Sequence, residues 1–251
     1  MISLSLQPLS AESQITIGMA SIPDRMKGMI RTLTTLLPSC DNFDLYLNDY
    51  PLGFSLPILE DPKVNVFRSP PDLGARGKLY MAHRTPGYYL TVDDDLVYPP
   101  NYVYNIVQGI EKYKRQAVVG YHGVLFAQRP DPMNPPTRHL FSHQGMLERD
   151  MPVHMLGTGL MGYHSDTLMF GWREMQPGKI DEQVAWRAQD TRTPLIVLAH
   201  PSRWVVEDDS LKYRGALRRN VQASEEAMAR IAAREWHLYL PDCWKEYQEF
   251  P

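Results

Sequence analysis

Asp93, Asp94 and Asp95 stand in a row directly after Tyr88-Tyr89-Leu90-Thr91-Val92, a run of strand-forming residues. Adjacent carboxylates repel one another, and a divalent cation or a row of backbone donors removes that cost. In an extended chain residues i and i+2 point to the same side, so Asp93 and Asp95 can converge on one cation while Asp94 faces another partner. All-oxygen ligation suits Mn²⁺ or Mg²⁺, which bind one or two carboxylates and complete their shell with water and phosphate oxygens. A solvated acidic turn is the plain alternative. The strand in front and Tyr98-Pro99-Pro100 behind weigh against it.

Other residues with chemical potential lie on both sides of the triplet. Ser21-Ile22-Pro23-Asp24-Arg25 follows the apolar run Ile15–Ala20, and Gly157-Thr158-Gly159 separates two apolar segments. Glycines flanking a hydroxyl residue suit either a loop that lets a ligand approach the backbone or a tight turn. Asp181 and Glu182 open a helical pattern, where carboxylates also suit the helix dipole. His200 ends an apolar run and His122 ends another, while His139, His143 and His154 lack the spacing of a zinc site. Arg203, Lys212, Arg214, Arg218 and Arg219 make the last third locally basic, with Glu207, Asp208 and Asp209 read as offsetting charge. Met155, Met161 and Met169 read as core.

Short apolar runs alternate with helical patterns through the first half, which predicts an α/β layered domain. Strands are expected at residues 15–20, 44–48, 64–67, 88–92 and 117–121, with helices at about 25–37 and 101–113, the second capped by Asn101. Residues 122–152 carry prolines 130, 132, 135 and 136 and read as an insertion over the site rather than scaffold. Short strands return at 155–156, 160–163 and 194–199, with a helix at 180–188. A last helix is expected from Ser224 to about Trp236 or Leu240. The chain of 251 residues is long enough for one substantial core, and a net charge of −3 gives no global field for a polyanion. Two cysteines in no metal spacing, an N-terminus without a basic-then-apolar leader pattern and the lack of a long apolar run predict a cytoplasmic protein with at most peripheral membrane contact.

Taken in order, Ala20–Arg25, Leu45-Tyr46-Leu47-Asn48, Asp72-Leu73-Gly74-Ala75-Arg76-Gly77-Lys78, Val92–Pro100 and Gly157-Thr158-Gly159 resemble the GT-A-fold glycosyltransferases, particularly bacterial and phage members of the broad family-2-like type. The resemblance covers about residues 14–200. It implies a single domain with a Rossmann-like mixed sheet, a nucleotide-sugar-binding half at about 14–120, an acceptor half at 121–220, and a C-terminal helix and tail at 221–251. By that resemblance Ser21, Pro23, Arg25, Asn48, Asp72, Lys78, Asp94, Thr158 and Gly159 would contact the donor, with a UDP-sugar as the leading candidate. Asp93 and Asp95 would hold the metal, with His200 completing its shell, and Asp181, with Glu182 in reserve, would be the general base of an inverting transfer. The implied acceptor is a glycan or a hydroxylated base of phage DNA. A metal-dependent nucleotidyltransferase and a non-catalytic nucleotide- or sugar-binding module are the alternatives.

Overall fold

The computed structural model describes residues 13–68, 73–127, 137–168, 171–175, 180–211 and 229–247. The first apolar runs form β1 (Ile15–Ser21), β2 (Asn42–Leu47), β3 (Val64–Phe67) and β4 (Tyr88–Val92), all parallel in the order β3-β2-β1-β4. The sheet continues with β11 (Leu160–His164), β6 (Val118–Gly120), β12 (Leu195–Val197) and β9 (Met151–Val153), making eight strands. β11 runs antiparallel to both β4 and β6, β12 is parallel to β6, and β9 closes the edge antiparallel to β12.

Both faces of this sheet are covered, which explains why β4 reads as apolar throughout rather than alternating. Tyr88, Leu90 and Val92 pack with α1 (Met26–Leu36) and α2 (Tyr102–Lys112), whose Met29, Leu33, Leu36, Ile106 and Ile110 are fully buried. Tyr89 faces the other way, into a second cluster with Leu79, Val184, Ala185 and Ala188, the last three from α3 (Ile180–Thr191). Met161 is fully buried there and Met155 packs against it, as expected for core methionines, while Met169 lies outside the described residues.

The stretch expected to be irregular turns out to carry scaffold. β7 (Gly123–Phe126) pairs with β8 (Arg138–Phe141) and with β10 (Met155–Leu156) in a separate three-stranded sheet. Prolines 130, 132, 135 and 136 lie outside the described residues; on either side of them, pairing of distant partners supplies what the local pattern does not show. A two-stranded ribbon of β5 (Leu96–Val97) and β13 (Val206–Glu207) sits just beyond the triplet. The C-terminal helix also differs from expectation: its proposed start lies outside the described residues, and the chain leaves helical geometry after Ala232. No helix among the described residues is long and apolar enough to cross a membrane.

One buried carboxylate in the sheet yields a direct test. Asp44 on β2 is 5% exposed, and burial pushes its pKa up to about 6 against a bond from Asn65 Nδ2 at 3.0 Å. A folded-state pKa above the unfolded value of 3.8 means that stability is highest at low pH and is lost as pH rises through about 6. Asp44→Asn keeps an acceptor for Asn65 and removes the charge. The expected result at pH 8 is a gain of roughly 1–3 kcal/mol that vanishes near pH 3.5, read from urea unfolding at both values.

Candidate active site

The sheet's topology decides which loops meet. Because β1, β2 and β4 are parallel, Ser21–Arg25, Asn48 and Asp93–Asp95 all emerge from one edge, the edge at which ligands bind in open α/β sheets. The antiparallel register Leu160↔Val92 brings Gly157-Thr158-Gly159 to the same edge, and Met161↔Gly120 brings His122 there as well. These loops enclose a cleft of about 910 Å³ whose walls include Arg25, Lys78, Asp93, Asp95, Thr158, Gly159 and Asp181. That volume is in the range of small-molecule sites.

The triplet divides as i and i+2 spacing suggests, although it forms a turn rather than continuing the strand. Asp93 and Asp95 line the cleft, with side chains 36% and 30% exposed, while Asp94 is buried. Each carboxylate has a cationic neighbour. Lys78 Nζ pairs with Asp93 Oδ1, and Arg25 Nη1 lies 3.0 Å from Asp94 Oδ1 and 3.2 Å from Asp95 Oδ2. Burial pushes the Asp94 carboxyl up to about 6, opposed by Arg25 and the Ser21 hydroxyl. Asp95 is raised by burial and by repulsion from Asp93, with Arg25 and Lys78 pulling against them. Burial disfavours the Arg25 charge, but Asp95, Asp94 and Asp93 together raise its pKa. Arg25 is therefore a fixed cation at the mouth of an acidic site, and Asp94 is the group that holds it there.

Close backbone approach fixes the triplet's position. A side-chain carbon on Gly28 would fall 1.8 Å from the Asp94 carbonyl oxygen, and one on Gly159 would fall 2.1 Å from Asp93 Oδ2. Only glycine allows α1 and the 157–159 loop to come so near. Tyr98 ties the same parts together, its buried hydroxyl accepting the Asp93 N–H at 2.7 Å and donating to the Gly159 carbonyl at 2.7 Å. In the sequence Tyr98 marks only the end of the loop after the triplet. Tyr98→Phe leaves both backbone groups without this partner, for an expected loss of about 1–3 kcal/mol in denaturant unfolding. An unchanged midpoint would show that the hydroxyl is not what joins the two loops.

Asp181 reaches the cleft from the first turn of α3. Its Oδ1 accepts from the Thr158 N–H at 2.9 Å and from the Thr158 hydroxyl at 2.5 Å. Oδ2 makes no hydrogen bond among the described residues. Burial raises the Asp181 pKa, with the Thr158 bonds and Lys78 opposing and Asp93 adding to the rise. Thr158 is itself fixed, since its carbonyl accepts from the Thr91 hydroxyl at 2.6 Å. A clamped carboxylate with one free oxygen and a raised pKa suits proton abstraction.

Several expected site residues stand elsewhere. Glu182 is buried on the α3 face turned to Arg230, 3.6 Å away, and does not line the cleft. His200 is not brought to the triplet. Its Nδ1 lies 2.7 Å from the Leu198 carbonyl and its Nε2 3.3 Å from that of Ser142, so both ring nitrogens face backbone oxygens. Asn48 supports the loop that delivers Lys78, bonding Leu73 N, Gly74 N and Gly74 O at 2.9–3.2 Å. Ser21 is buried, but at the site, between Tyr50 and the Asp94 carboxylate; Pro23 starts an exposed 3₁₀ turn before α1, and Asp72 lies outside the described residues. Lys78, read as part of a loop, sits in a 3₁₀ helix (Gly74–Leu79) and is 2% exposed. Of the histidines, His143 and His122 face each other in the cleft wall with Nδ1 atoms 3.2 Å apart. His154 is buried, its pKa lowered to about 4 by burial, and accepts from Phe126 N.

Glu207 and Asp208, read as offsets for a basic segment of which Lys212, Arg214, Arg218 and Arg219 lie outside the described residues, line the cleft. The Glu207↔Leu96 pairing and the Asp208 N–H to Asp95 O bond of 2.8 Å place them there. Asp208 also pairs with Arg31. A second acidic run in the sequence was the available signal.

A divalent cation fits this donor set in one way. Among the described residues no group of three or more His, Cys, Asp and Glu side chains converges as a metal cage. Asp93 and Asp95 supply two partly exposed carboxylates in a cleft with room for other ligands. That is the protein share typical of Mg²⁺ or Mn²⁺ bound together with substrate phosphates.

Fold and site together define an α/β protein with a mixed, mostly parallel sheet, helices on both faces and an acidic cleft at the strand ends. Comparison with protein-family models and with curated proteins gives no match for this chain.

Proposed function

We propose that the protein is a metal-dependent glycosyltransferase with a GT-A-type arrangement, moving a sugar from a nucleoside-diphosphate sugar, a UDP-sugar first, to an acceptor hydroxyl. The observation that carries this reading is the distribution of groups around one cleft. Asp93, Asp95, Lys78 and Arg25 form a wall suited to a metal-bound diphosphate, and Asp181 stands in the same cleft with an unbonded oxygen. The metal, when bound, would neutralise charge on the departing diphosphate. Arg25 and Lys78 add fixed positive charge beside it.

Asp181 takes the acceptor proton on Oδ2 as the acceptor oxygen bonds to the anomeric carbon. The bond from that carbon to the diphosphate oxygen breaks, and the nucleoside diphosphate leaves. Attack from the face opposite the leaving group inverts the anomeric centre. The Thr158 bonds to Oδ1 hold the carboxylate in orientation during this step. The far wall, with His122, Arg138, Ser142 and His143, is where the acceptor would lie, and either a glycan or a hydroxylated DNA base is a candidate.

The test is to incubate the protein with Mn²⁺ and a panel of nucleoside-diphosphate sugars and identify the released product. Nucleoside diphosphate, lost on adding EDTA, is the expected product. Pyrophosphate release from a nucleoside triphosphate in place of that product would assign a nucleotidyltransferase. Nucleoside-diphosphate binding without turnover of any donor would assign a binding module.

A further inference from the structure

We propose a second ligand site, for an uncharged saccharide, in the groove between α2 and the chain that follows β12. The groove has a volume of about 470 Å³ and shares no lining residue with the acidic cleft. The proposal does not depend on the reaction assigned to that cleft.

One wall is a row of amides. Asn101, Asn105 and Gln108 are spaced i, i+4 and i+7 along α2 and all line the groove, as expected for one helix face. None of the three side chains makes a hydrogen bond among the described residues, and Asn101 occupies the N-cap position of α2 without a side-chain cap bond. Each amide offers one acceptor and two donors. Such a row matches the neighbouring hydroxyls of a sugar ring, each of which both donates and accepts.

The opposite wall is aromatic. Trp204 lines the groove, its ring packed edge-on against Tyr121 with centroids 4.6 Å apart. His200 packs edge-on against the same tyrosine at 5.6 Å. A half-buried indole presents an apolar face to the C–H side of a pyranose while polar groups engage its hydroxyls. His200 is only 5% exposed and backs Tyr121 from within, so the accessible ring of this wall is that of Trp204.

Charge narrows the ligand class. The groove's cation, Lys112, is 2.8 Å from Asp150, whose carboxylate also accepts from the Tyr113 hydroxyl at 2.6 Å and from Ala199 N at 2.6 Å. With Lys112 paired to Asp150, the groove's described lining offers no uncompensated cation to select a phosphate or a carboxylate, which points to a neutral sugar. The same bonds fix the rim before binding, which lowers the ordering cost.

Saturation-transfer NMR of neutral methyl glycosides (glucoside, galactoside, mannoside, N-acetylglucosaminide) against the full chain, without metal or nucleotide, tests the site. At least one glycoside should show transfer, and Asn105→Leu/Gln108→Leu should weaken its binding about tenfold, as loss of one or two hydrogen bonds implies. Asp95→Asn should leave binding unchanged. Leucine is a good helix former, so α2 should persist in the double variant. If that variant nevertheless misfolds, Gln108→Leu alone, at an exposed position, provides the same comparison. Transfer to none of the glycosides overturns the proposal. So does binding that survives the α2 substitutions unchanged, and so does binding lost instead in Asp95→Asn, which would put the sugar in the acidic cleft.

Discussion

Asp95→Ala is expected to reduce metal-dependent release of nucleoside diphosphate by roughly 10²–10³-fold, the loss typical of removing one electrostatic stabiliser of a developing charge. The fold should survive, because the Asp95 side chain is 30% exposed and Arg25 keeps Asp94 at 3.0 Å. The Mn²⁺ concentration for half-maximal rate should rise in the same variant. Asp93→Ala is the less clean experiment, for a reason visible only in the structure. Lys78 is 2% exposed and pairs with Asp93, so truncation leaves a buried ammonium without its nearest carboxylate, a change that costs about 3–5 kcal/mol at buried pairs. Asp93→Ala should therefore lose activity and stability together, and adding Lys78→Met should recover part of the stability without the activity. Full turnover in Asp95→Ala, or undiminished turnover in EDTA, would remove the metal-diphosphate assignment.

Asp181→Asn is expected to lower sugar transfer by roughly 10²–10⁴-fold, the usual contribution of a positioned general base. Asparagine can still accept from Thr158, so the affinity for nucleoside diphosphate and the melting temperature should change little. The pH profile provides the sharper readout. Because burial raises the Asp181 pKa, the base is protonated at a pH where an ordinary aspartate is not, and wild-type kcat should fall as pH drops through that raised value. In Asp181→Asn the part of that limb owed to the base should disappear along with most of the rate, leaving only the limb set by the raised Asp94 and Asp95 carboxyls. Glu182→Gln is the control: the side chain points to Arg230, away from the cleft, and should leave the pH profile intact. Loss of the acidic limb in Glu182→Gln instead would transfer the role to that residue.

Much of the sheet was legible because local pattern and tertiary role coincide. Val64–Phe67 and Tyr88–Val92 form strands with the expected limits, and α1 and α2 end within about one residue of them, as fits segments whose apolar spacing repeats the period of the final element. The acidic triplet was legible for the same reason, since a buried strand can end in three carboxylates only where their charge is answered. The strands at 123–126 and 138–141 were not legible as scaffold, because β7 and β8 owe their conformation to each other and to β10, partners that are not adjacent in sequence.

What the sequence by itself determined is that carboxylates cluster at the end of a buried strand, with a hydroxyl-containing glycine loop and a helix-opening aspartate elsewhere in the chain. Which of these groups meet was decided by the antiparallel register of β11 on β4, which lays Gly157-Thr158-Gly159 beside the triplet, with Thr158 holding Asp181 in the cleft. The same long-range packing turned Asp94 and Glu182 away, engaged His200 with backbone carbonyls, and brought Glu207 and Asp208 in. Charge type is a property of a residue. The partner that buries, pairs or frees that charge is a property of chain segments tens of residues apart, and only the folded sheet brings those together.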